Sequence, residues 1–304
     1  MHTEEAIKKL DKQSIGDYQL AKLTHILGAL SWLKGDTEVA INFCHQARSL
    51  VEQFSDQLRK KTNTDNSDLL HDLEVVKLNT YLTDGICRIG MWQLDQALVS
   101  LYKVVELASF LNRDRVSEKK YDRCALFYIA YVHSLPEPSS DPDVAQRVVN
   151  ELFANWNKNE MPSWLTEYRL YYLGLAFTNL GQFDNALKIH STVIDDSFHS
   201  CYTQANTKHL NGLACCLRGM GRLEEALVNH GKAVTSFQNI GARLDLAEAC
   251  FQQAITLFEC GESKLSNVFI EKATALFKEM NAHYQQQRII RWVRKIGLKT
   301  TILC

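Results

Sequence analysis

A repeat of 40 residues in the C-terminal half of the sequence is the feature that most constrains the fold. Four kinds of position recur at this interval, and four columns at one period are not expected by chance. Self-similarity at periods of about 20–50 residues is the signature of stacked repeat architectures. The columns are Gly174, Ala214 and Ala254; Gly181, Gly221 and Gly261; Ala186, Ala226 and Ser266; and Val193, Ala233 and Ala273.

Each repeat is predicted to be a pair of antiparallel helices. In the first helix a small residue such as Gly174 lets the neighbouring helix approach closely, and a large apolar residue, here Phe177, follows three positions later. A glycine such as Gly181 then ends the helix in the left-handed backbone conformation. Ala186 marks the crossing point in the second helix. Each pair leaves an apolar face that only the next pair can cover, so the pairs must stack.

The N-terminal half carries the same pattern with insertions, and its surplus residues are assigned to a surface loop in the polar stretch 60–68. A degenerate pair is expected near Ser117–Ser134 and Asp143–Asn157, joined by the proline-rich turn Leu135–Pro142. A last helix near Ala282–Ile296 is expected to cap the stack. Residues Gly28, Gly35, Ala40 and Ala47 are matched 57 positions later by Gly85, Trp92, Ala97 and Val104.

Proline usage agrees with an all-helical chain. The four prolines lie between positions 136 and 162, so both long arms of the sequence contain none. A proline inside a helix costs about 3 kcal/mol. Sustained alternation of apolar and polar residues, the signal of a strand, is not found.

The repeat columns resemble the tetratricopeptide-repeat family. The 40-residue spacing is similar to the longer-helix variety found in kinesin light chains, cell-polarity adaptors and the regulatory regions of large bacterial transcription activators. The segment Ile240–Ala247 resembles the inter-repeat phrase of the last group. The family does not determine a function, since such repeats serve many partners.

The resemblance implies an all-α fold, a right-handed superhelical solenoid of about six antiparallel helix pairs plus a C-terminal capping helix. We expect one domain over residues 1–304. Its clearest repeats are expected at 165–280, repeats with insertions at 18–110, the degenerate pair at 117–160 and the capping helix at 282–297.

Composition excludes several classes of protein. Basic and acidic side chains number 34 and 35, giving a net charge of -1, so binding of nucleic acid through overall charge is not expected. Apolar runs fall short of the roughly 18 residues of a membrane span. The start of the sequence lacks a secretory signal. Nine cysteines without a C-x-x-C motif favour a reducing, cytoplasmic compartment.

Catalytic and cofactor motifs are absent from the sequence, so we expect a non-catalytic protein without a cofactor. One group of residues has the composition of a metal site, but His209 and Cys216 are seven residues apart on one predicted helix. Zinc ligands on one helix must lie three or four apart, so no metal is expected. The group is His199, Cys201, His209, Cys215 and Cys216.

Two further features have a structural and a functional interpretation. His190 and His230 occupy equivalent positions in two second helices, where packing with a hydrogen bond is favoured over a pH-sensing pair. The segment Asn281–Cys304 is basic, with an apolar side. It is interpreted as a capping helix whose basic face meets water, and a contact for an acidic partner is the alternative.

In the tetratricopeptide-repeat family the first helices line a concave groove, and the resemblance assigns a groove-facing stripe to each. The lining suits an amphipathic helix or an extended apolar peptide, with Lys208 and Arg218 as a basic island. The alternative is a groove covered by the protein's own segments. The candidate binding residues are Lys22, His25, Trp32, Leu82, Ile86, Tyr168, Tyr171, Leu175, Lys208, Asn211, Arg218, Phe251 and Phe258.

Co-chaperones of the family grip a C-terminal carboxylate with a lysine and an asparagine four residues apart on the opening helix. Here these positions are His25 and Ala29, so chaperone C-terminal tails are not expected as partners. The leading hypothesis is an intracellular adaptor that binds a protein or peptide in its groove. The alternative is the sensor module of a larger signalling protein, a transcription regulator or a protease, that binds a peptide or small effector.

Overall fold

The computed structural model describes residues 12–60, 66–114, 121–154, 164–196 and 203–298. Within these ranges the chain is helical and contains no strand, so the all-α prediction is confirmed. The helices are α1 (Lys12–Lys34), α2 (Thr37–Lys60), α3 (Ser67–Gly90), α4 (Leu94–Asp114), α5 (Tyr121–Ser134), α6 (Pro142–Ala154), α7 (Trp164–Asn179), α8 (Phe183–Asp196), α9 (Thr203–Gly219), α10 (Leu223–Ile240), α11 (Arg243–Glu259), α12 (Ser263–Glu279) and α13 (His283–Ile296).

The chain forms two compact units. Unit 1 comprises Met1–Gly90 and Leu94–Leu126, and unit 2 comprises Met91–Gln93 and Phe127–Cys304. No helix of the described residues combines the length and the apolar character that crossing a bilayer requires.

Unit 1 is built by packing α1 to α3 around one apolar cluster. The cluster buries side chains from all three helices: Tyr18, Ala21, Val51, Phe54, Leu58, Leu69, Leu73 and Val76. The other side of α1 leaves five large apolar side chains about half exposed: Leu20, Leu23, Ile26, Leu27 and Leu30. The first helix is therefore apolar on both sides, and one side forms the core of the unit.

Unit 2 contains the clear repeats, and its core runs from one helix pair to the next. Buried side chains of α10, α11, α12 and α13 form one cluster, so each pair covers the apolar face of the pair before it. Among its fully buried members are Ala233, Ala254, Ile270, Ala273, Phe277, Ile289 and Val293.

The repeated glycines end the first helices as predicted. Gly181, Gly221 and Gly261 have φ values of 73°, 76° and 86°, in the left-handed region. In the first of these turns the Gln182 N–H donates to the Phe177 carbonyl at 2.8 Å, and the Gly181 N–H donates to the Thr178 carbonyl at 3.1 Å. This pair of bonds is the Schellman motif, which satisfies carbonyls at the end of a helix.

The predicted helix bounds differ slightly from those in the structure. α6 begins at Pro142 rather than Asp143, because proline at the first helical position has no N–H that needs a partner. The Asp141 carboxylate caps this helix by accepting from the N–H groups of Asp143 and Val144. The predicted start of α5 at Ser117 and the predicted end of α6 at Asn157 lie outside the described residues.

The small residue Gly174 permits a close approach of helices, as predicted, and the neighbour that fills the space is His190. The His190 ring lies between Gly174 on α7 and Gly212 on α9. A Cβ atom added to Gly174 would lie 2.5 Å from the ring, and one added to Gly212 would lie 2.4 Å from it, too close for either contact to form. Three helices therefore meet at one imidazole.

His190 bonds to a second buried histidine. His209 Nε2 lies 2.9 Å from the Glu167 carbonyl oxygen, so this nitrogen carries the proton and donates. Nδ1 of a neutral His209 is then an acceptor, and His190 Nδ1 must donate to it across 3.0 Å. Packing with a hydrogen bond, the favoured interpretation of His190, is what the structure shows, and His230 likewise bonds to Asn211 at 2.9 Å.

Burial keeps these imidazoles neutral. Desolvation lowers the pKa of His209 to about 4, against the raising effect of the Glu167 backbone bond, and the Lys208 charge adds a smaller lowering. Desolvation also lowers the pKa of His190 well below its ordinary value, and the neighbouring His209 adds to the effect. Protonation of both rings would place two donors opposite each other and break the bond between them.

We expect Gly212→Ala to destabilise the protein by about 1–3 kcal/mol, because the new methyl group overlaps the His190 ring in a packed core. Gly231→Ala is the matched control, since Gly231 also lies inside a helix but has no neighbour within 4 Å. The control should gain up to ~1 kcal/mol from helix propensity. Urea unfolding followed by circular dichroism measures both, and equal effects would contradict the packing described for His190.

Stability is expected to fall as the pH drops below about 6.5. Unfolded His209 binds a proton near its ordinary pKa of about 6.5, whereas the folded group binds one only near 4. Between these values the unfolded state carries more protons, so this group removes about 1.4 kcal/mol of stability per pH unit.

The pH dependence can be assigned to the buried ring with one variant. His209→Gln should unfold with a shallower dependence on pH between 6.5 and 4, measured by urea titrations at each pH. His283→Gln removes an exposed histidine and should keep the slope of the native protein. A slope unchanged in His209→Gln would show that the residue does not cause the acid sensitivity.

Candidate functional site

Three successive first helices of unit 2, together with α13, bring one column of side chains onto a common surface. Residues at the same repeat position, each 40 residues apart, are Tyr168 on α7, Lys208 on α9, Glu248 on α11 and Arg288 on α13. We call the surface formed by this column and its neighbours the stripe face.

Charges on the stripe face are paired between helices. Lys208 on α9 forms an ion pair with Asp245 on α11, and its ammonium lies 5.0 Å from the Tyr171 ring centroid. Arg288 on α13 binds Glu248 on α11 through two contacts, at 2.7 and 3.2 Å. Burial alone would raise the pKa of Glu248, but the charge and hydrogen bonds of Arg288 outweigh it, so the pKa is lowered.

Arg218 on α9 is also engaged with its neighbour α11. Its guanidinium donates to the Gln252 carbonyl at 3.0 Å and to the Gln252 side-chain oxygen at 2.8 Å. Gln252 in turn donates to Glu248 at 2.7 Å. The predicted basic island of Lys208 and Arg218 is therefore not a pair of free cations, because acidic and amide groups of α11 bind both.

The structure separates the predicted binding residues of unit 2 into two groups. Three of them, Leu175, Arg218 and Phe258, are partly exposed, and each lies in the C-terminal part of its helix. The other five are buried, as the alternative of a groove covered by the protein's own segments predicts. They are Tyr168, Tyr171, Lys208, Asn211 and Phe251.

Helix α13 supplies much of this cover. Its Trp292 ring packs edge-on against Phe251 and Phe258, with centroids 5.7 Å apart in both contacts. Ile289 and Val293 on the same helix are fully buried. The helix therefore covers the end of the repeat stack and part of the stripe face at once.

The expectation that all basic residues of this helix meet water is wrong for Arg288. Its side chain is 15 % exposed and lies against Glu248. Arg291, Arg294 and Lys295 are exposed, as expected. Lys299 lies outside the described residues. Sequence periodicity shows which residues share a helix face, but the acidic partner that draws Arg288 inward is 40 residues away.

Trp92 is a site residue that the sequence analysis used only as a repeat position. It occupies the column of Gly35 but has a φ of 61°, a left-handed conformation that costs a bulky residue about 1 kcal/mol or more. Its ring stacks on Arg288, with 3.7 Å between the guanidinium carbon and the ring centroid. Its Nε1–H donates to Glu137 at 3.2 Å, and Arg291 pairs with the same carboxylate.

The candidate residues of the first two stripes lie in unit 1 and form a separate group. Lys22 is bound to Asp72 at 3.1 Å and donates to the Tyr18 hydroxyl at 2.7 Å. His25, Trp32 and Leu82 are partly exposed, and Ile86 is buried.

Metal-ligating chemistry does not assemble in the described part of the chain, where no three potential ligands form a group. His199 and Cys201 of the sequence-based cluster lie outside the described residues. His209 is bound to His190 and to a backbone carbonyl. The Cys216 thiol donates to the Phe183 carbonyl, and burial raises its pKa to about 11.

No protein-family model and no curated protein sequence matches the chain. Among the solved structures that match the fold of this chain are a Rap protein and PlcR. A Rap protein complexed with competence and sporulation factor has a TM-score of 0.54 at 14% identity, with 91% of this chain and 73% of that chain covered. Bacillus thuringiensis PlcR, in complex with the peptide PapR7 and DNA, has a TM-score of 0.56 at 11% identity, with 79% and 83% covered.

The likeness covers most of this chain, and it agrees with the stacked helix pairs and the glycine turns described above. The chain therefore has the fold of the tetratricopeptide-repeat proteins.

Proposed function

We propose that this chain is a non-catalytic module that binds a peptide or an extended segment of a partner protein on the stripe face of unit 2. The contact surface is the accessible edge of that face, formed by Leu175, Arg218, Ile255, Phe258 and Trp292. The observation that supports this most is that four alternate helices, α7, α9, α11 and α13, each place at least one partly exposed side chain there.

The chemistry of the accessible edge suits a mainly apolar ligand. Four of its five side chains are apolar, and its one cation, Arg218, is held in place by Gln252. Packed helices lie about 8–10 Å apart, so the edge from α7 to α11 spans about 20 Å. At about 3.3 Å per residue, six extended residues cover it.

The proposal predicts that peptides selected from a display library against the native protein lose at least about tenfold in affinity for Phe258→Ala and for Arg218→Gln. These changes remove an apolar contact and a cation from the edge, and tenfold corresponds to about 1.4 kcal/mol. Fluorescence polarisation with labelled peptides measures the affinities.

Val228→Ala and Val268→Ala are the matched controls. Both valines are 58% exposed, lie on second helices and are 40 residues apart, so they repeat like the edge residues but lie outside the stripe face. Thermal unfolding of every variant separates lost contacts from lost folding. Folded Phe258→Ala and Arg218→Gln variants that bind as tightly as the native protein would refute the proposed site.

A sensor role is the second candidate. The observation that favours it is that a Rap protein and PlcR, both similar in fold, were solved in complex with a factor and with a peptide, respectively. A sensor must change conformation when its ligand binds. Small-angle scattering with a selected peptide would show such a change for a sensor and an unchanged profile for an adaptor.

A further inference from the structure

Unit 2 already holds one aromatic side chain in the manner of a ligand. Trp92 is 7% exposed, and its indole is held by two groups distant in sequence. Arg288 of α13 stacks on the ring face at 3.7 Å, and Glu137, in the turn between α5 and α6, accepts the ring N–H at 3.2 Å. The face of the indole ring thus contacts a cation, and the N–H at its edge contacts a hydrogen-bond acceptor.

The groups that hold the indole are positioned by contacts that do not involve it. Glu248 binds Arg288 through two contacts, and the Phe251 ring of α11 lies 4.9 Å from the Arg288 guanidinium carbon. Glu137 is held by Arg291 at 3.2 Å. Removing Trp92 would therefore leave a formed, charged cleft, because the ion pairs that shape it remain.

The backbone of Trp92 is in a conformation that disfavours its own residue type. The turns at Gly181, Gly221 and Gly261 have similar positive φ values with glycine. A tryptophan retains φ near 61° only when its side chain contacts compensate. The indole is thus held in the cleft by its contacts, and the Trp92 backbone would relax if the ring left.

We propose that Arg288 and Glu137 form a subsite for an aromatic side chain with a ring or phenol donor, a tryptophan or tyrosine of the bound peptide, and that Trp92 fills it until replaced. The proposal rests on the proposed function for the source of that side chain. The guanidinium supplies the cation–π contact, and the carboxylate supplies the acceptor.

The subsite can be tested with indole as a probe and Trp92→Gly as the vacated receptor. Glycine suits the positive φ of this turn, so the variant should fold. Isothermal titration calorimetry should show one indole bound to Trp92→Gly and none to the native protein. 1-Methylindole should bind about tenfold more weakly, because it cannot donate to Glu137. N-acetyl-leucinamide should not bind.

Trp292→Ala is the matched control, since it vacates a second indole-sized space whose ring contacts are Phe251 and Phe258. That space should accept indole and 1-methylindole equally. Peptides selected against Trp92→Gly should be enriched in tryptophan or tyrosine and bind the native protein at least about tenfold more weakly, because Trp92 competes.

Two results would overturn the subsite. A folded Trp92→Gly protein that binds no indole would show that Arg288 and Glu137 do not recognise the ring. A Trp92→Gly protein that fails to fold would show that the indole is required core and not a replaceable occupant. Indole binding without any peptide binder would support the subsite and refute the proposed function. Peptide binding at the accessible edge without indole binding would support the proposed function and refute the subsite.

Discussion

Close approach of helices at positions without a side chain is the constraint on which unit 2 depends. The His190 ring fits only because Gly174 and Gly212 leave room on two different helices. That fit sets the spacing of α7, α8 and α9. Once the spacing is set, residues 40 positions apart on the first helices must lie side by side. The stripe face is therefore a consequence of how the backbones pack.

The column at Tyr168, Lys208, Glu248 and Arg288 shows what this register makes possible. The last three residues alternate in charge, and each charge binds an opposite one on an adjacent helix. Burying an unpaired charge would cost several kcal/mol, whereas paired charges with additional hydrogen bonds are tolerated. Each charge of the stripe face thus has a defined partner, and the face is close to neutral. This favours recognition of a ligand by its shape and by individual polar contacts.

Much of the fold could be predicted because its determinants are local or periodic. A glycine at the end of a first helix selects the left-handed turn by itself, and the turn at Gly181 makes the expected pair of bonds, from the N–H groups of Gly181 and Gln182. The exposure of the candidate binding residues could not be predicted in the same way. Periodicity placed Tyr171 and Phe251 at equivalent positions of two first helices, but it carried no information on whether these positions are covered. Part of their cover comes from residues distant in sequence: the His209 ring packs against Tyr171, and the Trp292 ring of α13 packs against Phe251.

The sequence by itself determined that this protein is all-α, where helices pair, and which residues turn the chain, because these follow from backbone sterics and from patterns within one repeat. Only the tertiary structure decided which side chains stay accessible, which nitrogen of His209 carries the proton, and that Arg288 points inward beneath Trp92. These depend on groups that meet across 40 to more than 150 residues of chain. No local pattern specifies such a meeting, because desolvation and ion pairing act only after the helices have packed.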